Sequence, residues 1–170
     1  MHDEAYRYVA RTLAERSLAP RRVLEIGSYN VNGSVRPLFW SADTYVGIDL
    51  RPGLGVDRVG RAADYDATGF DLVVCCETLE HDPEPAMTID AAWRALKPGG
   101  HVILTAASHT RPPHSCDGLP TVPPGEHYQG IHPDDLRTML AHWGMVSIEH
   151  HAPRGDVYAV AQKPEADEWR

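Results

Sequence analysis

The sequence predicts an α/β fold: a doubly wound, seven-stranded, mostly parallel sheet with helices on both faces that ends in an antiparallel hairpin. Three observations predict it. Helical and strand-like segments alternate along the 170 residues, which is typical of an open sheet covered by helices. The strand-like runs are short, and most end near glycine or proline. Only the five residues 152–156 separate the last two runs, a length that suits a hairpin.

The first half of the chain supplies one helix and three strands. Apolar residues recur at helical spacing near the amino terminus, and Pro20 closes that stretch. The third strand is the weakest, because Asp57 and Arg58 interrupt its apolar pattern. Between the first two strands there is room for no more than a short helix around Pro37. The predicted elements are helix 3–17 and strands 22–26, 44–50 and 56–59.

The second half completes the sheet. A helix is expected to stop at the turn 97–100, Lys-Pro-Gly-Gly, to which we assign no chemistry. Residues 111–125 hold five prolines and two glycines and should form a loop. Pro133 opens a further helix whose first turn carries two aspartates. The predicted elements are strand 70–76, helix 85–96, strand 101–106, helix 132–142, and strands 145–151 and 157–162.

Composition restricts the partners and the compartment. The formal net charge is −8 with only two lysines, which disfavours nucleic acid as a partner. The apolar runs are only about five residues long, so we expect neither a signal peptide nor a membrane span. Three cysteines, two of them adjacent in an apolar run, suggest buried thiols in a cytoplasmic protein. We expect one domain over 1–170, with an N-terminal helix in 1–20 and a loop region at 108–131 over the active site; oligomeric state is not indicated.

A nucleoside site is indicated by Gly27 and Asp49. Gly27 follows the first strand, where a ligand can approach the backbone, and Asp49 ends the second strand 22 residues later. A carboxylate at that distance can accept the hydroxyl protons of a ribose. Tyr29 occupies the place of the second glycine of G-x-G-x-x-G, which disfavours a dinucleotide. No phosphate-binding G-x-x-x-x-G-K-[ST] pattern occurs.

The ordered motifs resemble the class I S-adenosylmethionine-dependent methyltransferases, in particular small members with a Leu-Glu-His signature after strand four. The resemblance covers almost the whole chain and implies a Rossmann-like fold. The matching segments are Leu-Glu-Ile-Gly at 24–27, Gly-Ile-Asp at 47–49, Phe-Asp-Leu-Val-Val at 70–74, Glu77 with Leu-Glu-His at 79–81, Leu-Lys-Pro-Gly-Gly at 96–100, and the closing hairpin.

The resemblance also implies a binding surface for S-adenosylmethionine and its product S-adenosylhomocysteine. The turn after strand one would line the methionine end, Asp49 would hold the ribose, and the end of strand four would border the cofactor. Arg61 stands where many relatives carry an aspartate for the adenine; Asp64 or the backbone at Ala62 is the alternative contact. The implied cofactor-binding residues are Glu25, Gly27, Ser28, Tyr29, Asn30, Asp49, Leu50, Ala62, Cys76, Glu77 and His81.

Three histidines are candidate general bases: His81, His114 and His127. His81 follows strand four on the side where ligands bind, and a hydrogen bond within its loop is the competing explanation. The other two lie in or beside the proline-rich loop. The histidines and Cys116 there are metal-ligand types, but no C-x-x-C or H-E-x-x-H spacing occurs, so we expect no metal.

The sequence therefore predicts a methyltransferase that acts on a small molecule, at oxygen or nitrogen rather than carbon. The alternative is a non-catalytic partner or scaffold module that binds S-adenosylmethionine. A dinucleotide-linked reductase is disfavoured by Tyr29 and by the hairpin ending. The acceptor cannot be read from the sequence, because substrate contacts sit on variable loops.

Overall fold

The computed structural model describes residues 2–165 and contains one seven-stranded sheet. The strand order is β3-β2-β1-β4-β5-β7-β6, parallel from β3 to β5 and antiparallel from β5 through β7 to β6. The fold class expected from the sequence is confirmed. The elements are α1 (Asp3–Glu15), β1 (Arg22–Ile26), β2 (Thr44–Asp49), β3 (Arg58–Val59), β4 (Phe70–Cys76), α2 (Pro85–Ala95), β5 (Leu96–Ala107), α3 (Pro133–Met139), β6 (Val146–His151) and β7 (Asp156–Gln162).

Alternate residues of the central strands pack against helices on opposite faces of the sheet. Leu72 and Val74 of β4 join the cluster formed with α1, whereas Val73 and Cys75 join the cluster formed with α2 and α3. This alternation follows from the two-residue period of a strand. Both faces of β4 are therefore buried between Leu72 and Cys75, which explains the apolar run at those positions.

The turn predicted at 97–100 is wrong in form, because β5 already begins at Leu96. Leu96 pairs with Phe70 and His101 with Leu72, so the Lys-Pro-Gly-Gly segment bulges out between two paired positions. Pro98 has no N–H for a ladder, and Gly99 has a φ of +74°. The bulge is held from the far side, where the Gly99 N–H donates to the Lys163 carbonyl at 2.9 Å.

Other boundaries differ for identifiable reasons. The third strand is reduced to two residues because the Asp57 side chain accepts from the Gly47 N–H at 2.7 Å and pairs with Arg36. α3 ends at Met139, three residues early, because the chain turns to bury Trp143, which is 5% exposed. Two 3-10 turns, Ala62–Asp64 and Leu79–His81, take the place of expected loop.

The sheet topology creates a crevice at the carboxyl ends of the strands. β1 continues into β2 on one side, whereas β4 returns to the other side of β1. Ligands of open α/β sheets bind at such a change of direction. Within residues 2–165, no helix combines the length and the apolar character needed to cross a bilayer.

Candidate active site

A cavity of about 970 Å³ opens at this crevice. Its size lies at the upper end of the roughly 300–1,000 Å³ range of small-molecule sites. The walls come from the ends of β1, β2 and β4, and the proline-rich loop contributes residues 111–116, 118–120 and 126. Of the residues singled out in the sequence, the cavity wall contains Glu25, Gly27, Ser28, Tyr29, Asp49, Leu50, Ala62, Cys76, Glu77, His81 and His114.

Asn30 and His127 are not among the residues that line the cavity. The Asn30 Oδ1 accepts from the Gly33 N–H at 2.8 Å, and the Asn30 backbone N–H donates to the Leu54 carbonyl at 2.9 Å. Asn30 thus fixes the loop after β1. Arg61 lines the cavity and pairs there with Glu84. Asp64 is not among the lining residues.

Gly27 lies so close to Thr78, just after β4, that no side chain fits at this position. Its φ is +77°, and a Cβ built there would lie 1.9 Å from Thr78 Oγ1. The sequence analysis explains Gly27 by the approach of a ligand. The structure adds a second reason, because Thr78 occupies the space that a side chain at this position would need. The turn is anchored by the Gly27 and Ser28 N–H groups, which both donate to the Ile48 carbonyl at 2.9 and 3.1 Å.

Asp49 ends β2 beside that turn. Its Oδ2 accepts from the Tyr29 N–H at 3.0 Å and its Oδ1 from the Arg51 N–H at 3.2 Å. Each carboxylate oxygen has a second lone pair, so the group can still accept from a ligand. The two backbone bonds therefore orient a carboxylate in the cavity wall.

Glu25 is a buried carboxyl in the same wall, 5% exposed. Its Oε2 accepts from the Tyr45 hydroxyl at 2.8 Å. Burial raises the pKa of Glu25 to about 7, against the lowering effect of this hydrogen bond. The side chain can therefore change charge near neutral pH.

We expect Glu25→Gln to remove a pH dependence of stability. Because the folded-state pKa is raised, Glu25 contributes stability that is present below about pH 4.5 and is lost as pH rises through about 7. The free energy of unfolding of the wild type should fall by about 3 kcal/mol relative to Glu25→Gln over that interval. Urea unfolding at pH 4.5 and 8 measures it, with the exposed Glu15→Gln as control. Parallel curves for wild type and Glu25→Gln would contradict it.

Four charged groups form a network at the end of β4. Arg111 Nη1 donates to Glu77 Oε2 at 2.9 Å and to Asp156 Oδ1 at 3.2 Å. His2 Nε2 lies 3.1 Å from the same Glu77 oxygen. Burial acts to raise the pKa of Glu77, but the hydrogen bond from His2 and the charges of His2 and Arg111 hold it below its usual value. Tyr158 completes the network through its hydroxyl, which donates to Asp156 Oδ2 at 3.0 Å.

Sequence reasoning missed His2, Arg111 and Asp156 as parts of the site. His2 and Arg111 line the cavity. Hydrogen bonds to Asp156 and Glu77 raise the pKa of His2 to about 10. No local pattern marks these residues, because they belong to the chain start, a loop and the hairpin. The one available signal is the lone arginine at the entry of the proline-rich loop.

Two of the three candidate bases come together. The ring centroids of His81 and His114 lie 5.2 Å apart in an edge-to-face arrangement, and the Tyr128 ring contacts both. Burial, then the charge of His114, lowers the pKa of His81. Glu80 beside them is completely buried; its Oε1 accepts from the Ala107 N–H at 3.0 Å, and its Oε2 has no hydrogen-bond partner among residues 2–165. From the sequence, Glu80 is only the middle residue of the Leu-Glu-His signature and has no assigned role.

The proline-rich loop is tied to the cavity rim. Arg51 Nη2, just after β2, donates to Asp117 Oδ1 at 2.8 Å. Both oxygens of Glu126 are occupied within the loop, by the Ser115 hydroxyl at 3.0 Å and the Cys116 N–H at 3.1 Å. These contacts hold the loop against the cavity, whose wall it helps to form.

A sheet of this order with a cavity at the β1–β4 crevice defines the class I S-adenosylmethionine-dependent methyltransferase fold. Comparison with known proteins agrees. A family described as methyltransferase domain matches residues 1–151, so the chain belongs to the methyltransferase-domain family. The resemblance drawn from the motifs is thereby confirmed at the level of the family.

Individual relatives are more distant or only partly matched. The ubiquinone biosynthesis O-methyltransferase of Aromatoleum aromaticum is 37% identical over 106 residues, which cover 52% of this chain and 44% of that protein. The chain spans 19% to 57% of the length of the first curated relatives it matches.

Solved structures share the fold at low identity. A Burkholderia thailandensis 1,6-didemethyltoxoflavin-N1-methyltransferase, crystallised with 1,6-didemethyltoxoflavin and S-adenosylhomocysteine, superposes with a TM-score of 0.67 at 17% identity, covering 95% of this chain and 79% of that one. The N-methyltransferase NodS of Bradyrhizobium japonicum WM9 in complex with S-adenosylhomocysteine gives 0.63 at 19%, covering 94% and 87%.

Proposed function

We propose that this chain transfers a methyl group from S-adenosylmethionine to an oxygen or nitrogen atom of a small molecule. One observation carries the proposal: the turn at 27–29, the oriented Asp49 carboxylate and the end of β4 converge on a single cavity. Its volume leaves room for a nucleoside cofactor and a second small molecule. The family membership and the cofactor product in the similar structures support the same function.

Residues of the cavity wall divide into roles. Asp49 accepts from the ribose hydroxyls, and the turn at 27–29 lies against the methionine part. Glu77 Oε1 is buried without a partner among the described residues and is an acceptor suited to a cationic amine. Leu50 and Ala62 border the base, and Cys76 lies beside Glu77 at the strand end.

When bound, the sulfonium supplies an electrophilic methyl group, so the protein has chiefly to align the acceptor and exclude water. The proline-rich loop, which forms part of the cavity wall, excludes water. An acceptor hydroxyl or ammonium also has to lose a proton, and His81 and His114 are the imidazoles in the cavity wall that can accept one. His127 is outside the lining, which removes support for it as a base.

The function is tested by calorimetric titration with S-adenosylhomocysteine, followed by incubation of the protein with methyl-labelled S-adenosylmethionine and a panel of phenols, carboxylates and amines. We expect binding and transfer of label to a member of the panel. Absence of binding would overturn the proposal. Binding without transfer to any acceptor would favour the non-catalytic module instead.

We expect Asp49→Ala to weaken S-adenosylhomocysteine binding by roughly 1.5–3 kcal/mol, because the carboxylate makes charge-assisted hydrogen bonds to the ribose. Isothermal calorimetry measures the change. Asp43→Ala is the matched control, since Asp43 is an exposed aspartate next to β2 that pairs with Arg21 outside the cavity. Wild-type affinity in a folded Asp49→Ala protein would show that the ribose is held elsewhere.

The net charge of −8 and the size of the cavity favour a small-molecule partner over nucleic acid. The three cysteines are free, which agrees with the expected reducing compartment, the cytoplasm.

A further inference from the structure

The 3-10 turn after β4 brings two potential metal ligands together, one of which, His81, lines the cavity, and the proline-rich loop brings a third. Glu80 and His81 are consecutive in the turn, and His114 reaches them from the loop. One ligand atom from each of the three side chains lies within 4.8 Å of the other two. Three atoms at that spacing share a centre within about 2.8 Å of each, so small side-chain movements reach the roughly 2.0–2.1 Å bonds of zinc.

The hydrogen bonding of Glu80 points to a ligand. The residue has no solvent exposure, and its Oε2 has no partner among the residues that the structure describes, although Oε1 is held by the Ala107 N–H. A buried carboxyl oxygen is costly to leave without a hydrogen-bond partner. His81 shows the same feature, because its Nδ1 is buried and lacks a hydrogen-bond partner in residues 2–165. A cation between these atoms would satisfy both.

We propose that Glu80, His81 and His114 form a site for one divalent transition-metal ion of the zinc type, in which the two histidines line the cavity and Glu80 is a fully buried ligand. Two imidazoles and one carboxylate are the donor set of open zinc sites, in which the fourth position is left for water or a substrate oxygen. His81 and His114 both line the cavity, so that position faces it. Tyr128 packs against both rings and restrains their orientation.

A second cluster competes for the same ion. Cys116, Asp117 and Glu126 also offer three ligand atoms within 4.8 Å of one another. Their oxygens are already engaged, however: Glu126 accepts two hydrogen bonds within the loop, and Asp117 pairs with Arg51. These contacts hold the loop together without an ion, so the first cluster is the better site.

The ion would act on the acceptor, and this part rests on the proposed function. A hydroxyl bound to a divalent ion loses its proton to water at lower pH than a free one. The oxygen then forms the bond to the methyl carbon while the carbon–sulfur electron pair returns to sulfur. As ligands, His81 and His114 are not free to accept that proton, so metal binding replaces their role as bases.

Titration of chelator-treated protein with zinc chloride in a calorimeter tests the site. We expect one tight zinc per chain, and a loss of affinity of more than about 100-fold in Glu80→Gln and in His114→Ala. Glu80→Gln keeps a carbonyl oxygen for the Ala107 N–H, so its fold should be retained. The controls are His127→Ala, a loop histidine outside the cavity lining, and Cys116→Ser from the competing cluster; both should bind zinc as the wild type does.

Cobalt substitution and S-adenosylhomocysteine binding complete the test. The visible spectrum of the cobalt protein should show a nitrogen and oxygen donor set and should disappear in His114→Ala. No zinc binding by the wild type, or unchanged zinc affinity in Glu80→Gln and His114→Ala, would overturn the site. Titration with S-adenosylhomocysteine in the same metal-free samples reports on the cofactor separately, so retained binding there would leave the proposed function standing if the metal site failed.

Discussion

Gly27→Val should reduce S-adenosylhomocysteine affinity by more than about 100-fold. A β-branched residue is rarely found at a φ of +77°, and its Cβ would overlap Thr78 Oγ1, which lies 1.9 Å from the position of that atom. The turn has to move away from β4, and it carries with it the Tyr29 N–H that orients Asp49. The turn at 27–29 and the proposed ribose site are thus expected to be lost together. Isothermal calorimetry measures the affinity.

Gly69→Val is the matched control for this variant. Gly69 also has a positive φ, +83°, but nothing lies within 4 Å of its Cβ position. It should therefore show the cost of backbone strain, about 1–3 kcal/mol in unfolding free energy, with unchanged affinity. Circular dichroism separates unfolding from displacement of the turn. A folded Gly27→Val protein that binds as the wild type does would refute the placement of the cofactor at this turn.

Arg111→Ala should lower the free energy of unfolding by about 3–5 kcal/mol at pH 7. The substitution leaves the carboxylates of Glu77 and Asp156 buried with His2 as their remaining cationic neighbour, and removing one partner of a buried charge is strongly destabilising. Both carboxyl groups have lowered pKa values, so the stability they contribute is lost as pH falls toward and below those values. The effect of the substitution should accordingly shrink in acid.

Urea unfolding of Arg111→Ala and Arg154→Ala at pH 7 and pH 4 tests this expectation. Arg154 forms a single exposed pair with Glu4 at 3.2 Å, so its loss should change stability by no more than about 0.5 kcal/mol. Equal stabilities of the two variants at pH 7 would mean that the network does not hold the end of β4.

The sheet could be predicted from the sequence because each strand is marked by residues that are close together in the chain. The sequence predicts β1 and β4 at their observed bounds, since each is a short, mainly apolar run that is followed by a glycine or a polar residue. Local sequence patterns failed to predict features that depend on contacts between residues far apart in the chain. The bulge at 97–100 depends on Lys163, and the short third strand depends on the contact between Asp57 and Gly47.

The candidate site divides in the same way. Gly27 and Asp49 lie at strand ends, where a parallel sheet brings residues together whatever the loops do, and both line the cavity. His2 and Arg111 meet Glu77 only through the complete fold, across 75 and 34 residues of chain. Glu80 and His114 are likewise too far apart in sequence to form a ligand spacing, which is why the sequence predicts no metal.

The placement of His2 has a practical consequence for handling the protein. His2 lines the cavity and contacts Glu77 there, so a peptide attached ahead of it would begin close to the cavity. An affinity tag fused at this end would therefore lie close to the cavity and to the pair between His2 and Glu77. Tags for binding assays are better placed at the carboxyl end of the chain, since β7 ends at Gln162 beside His101, at the end of the sheet opposite to the cavity.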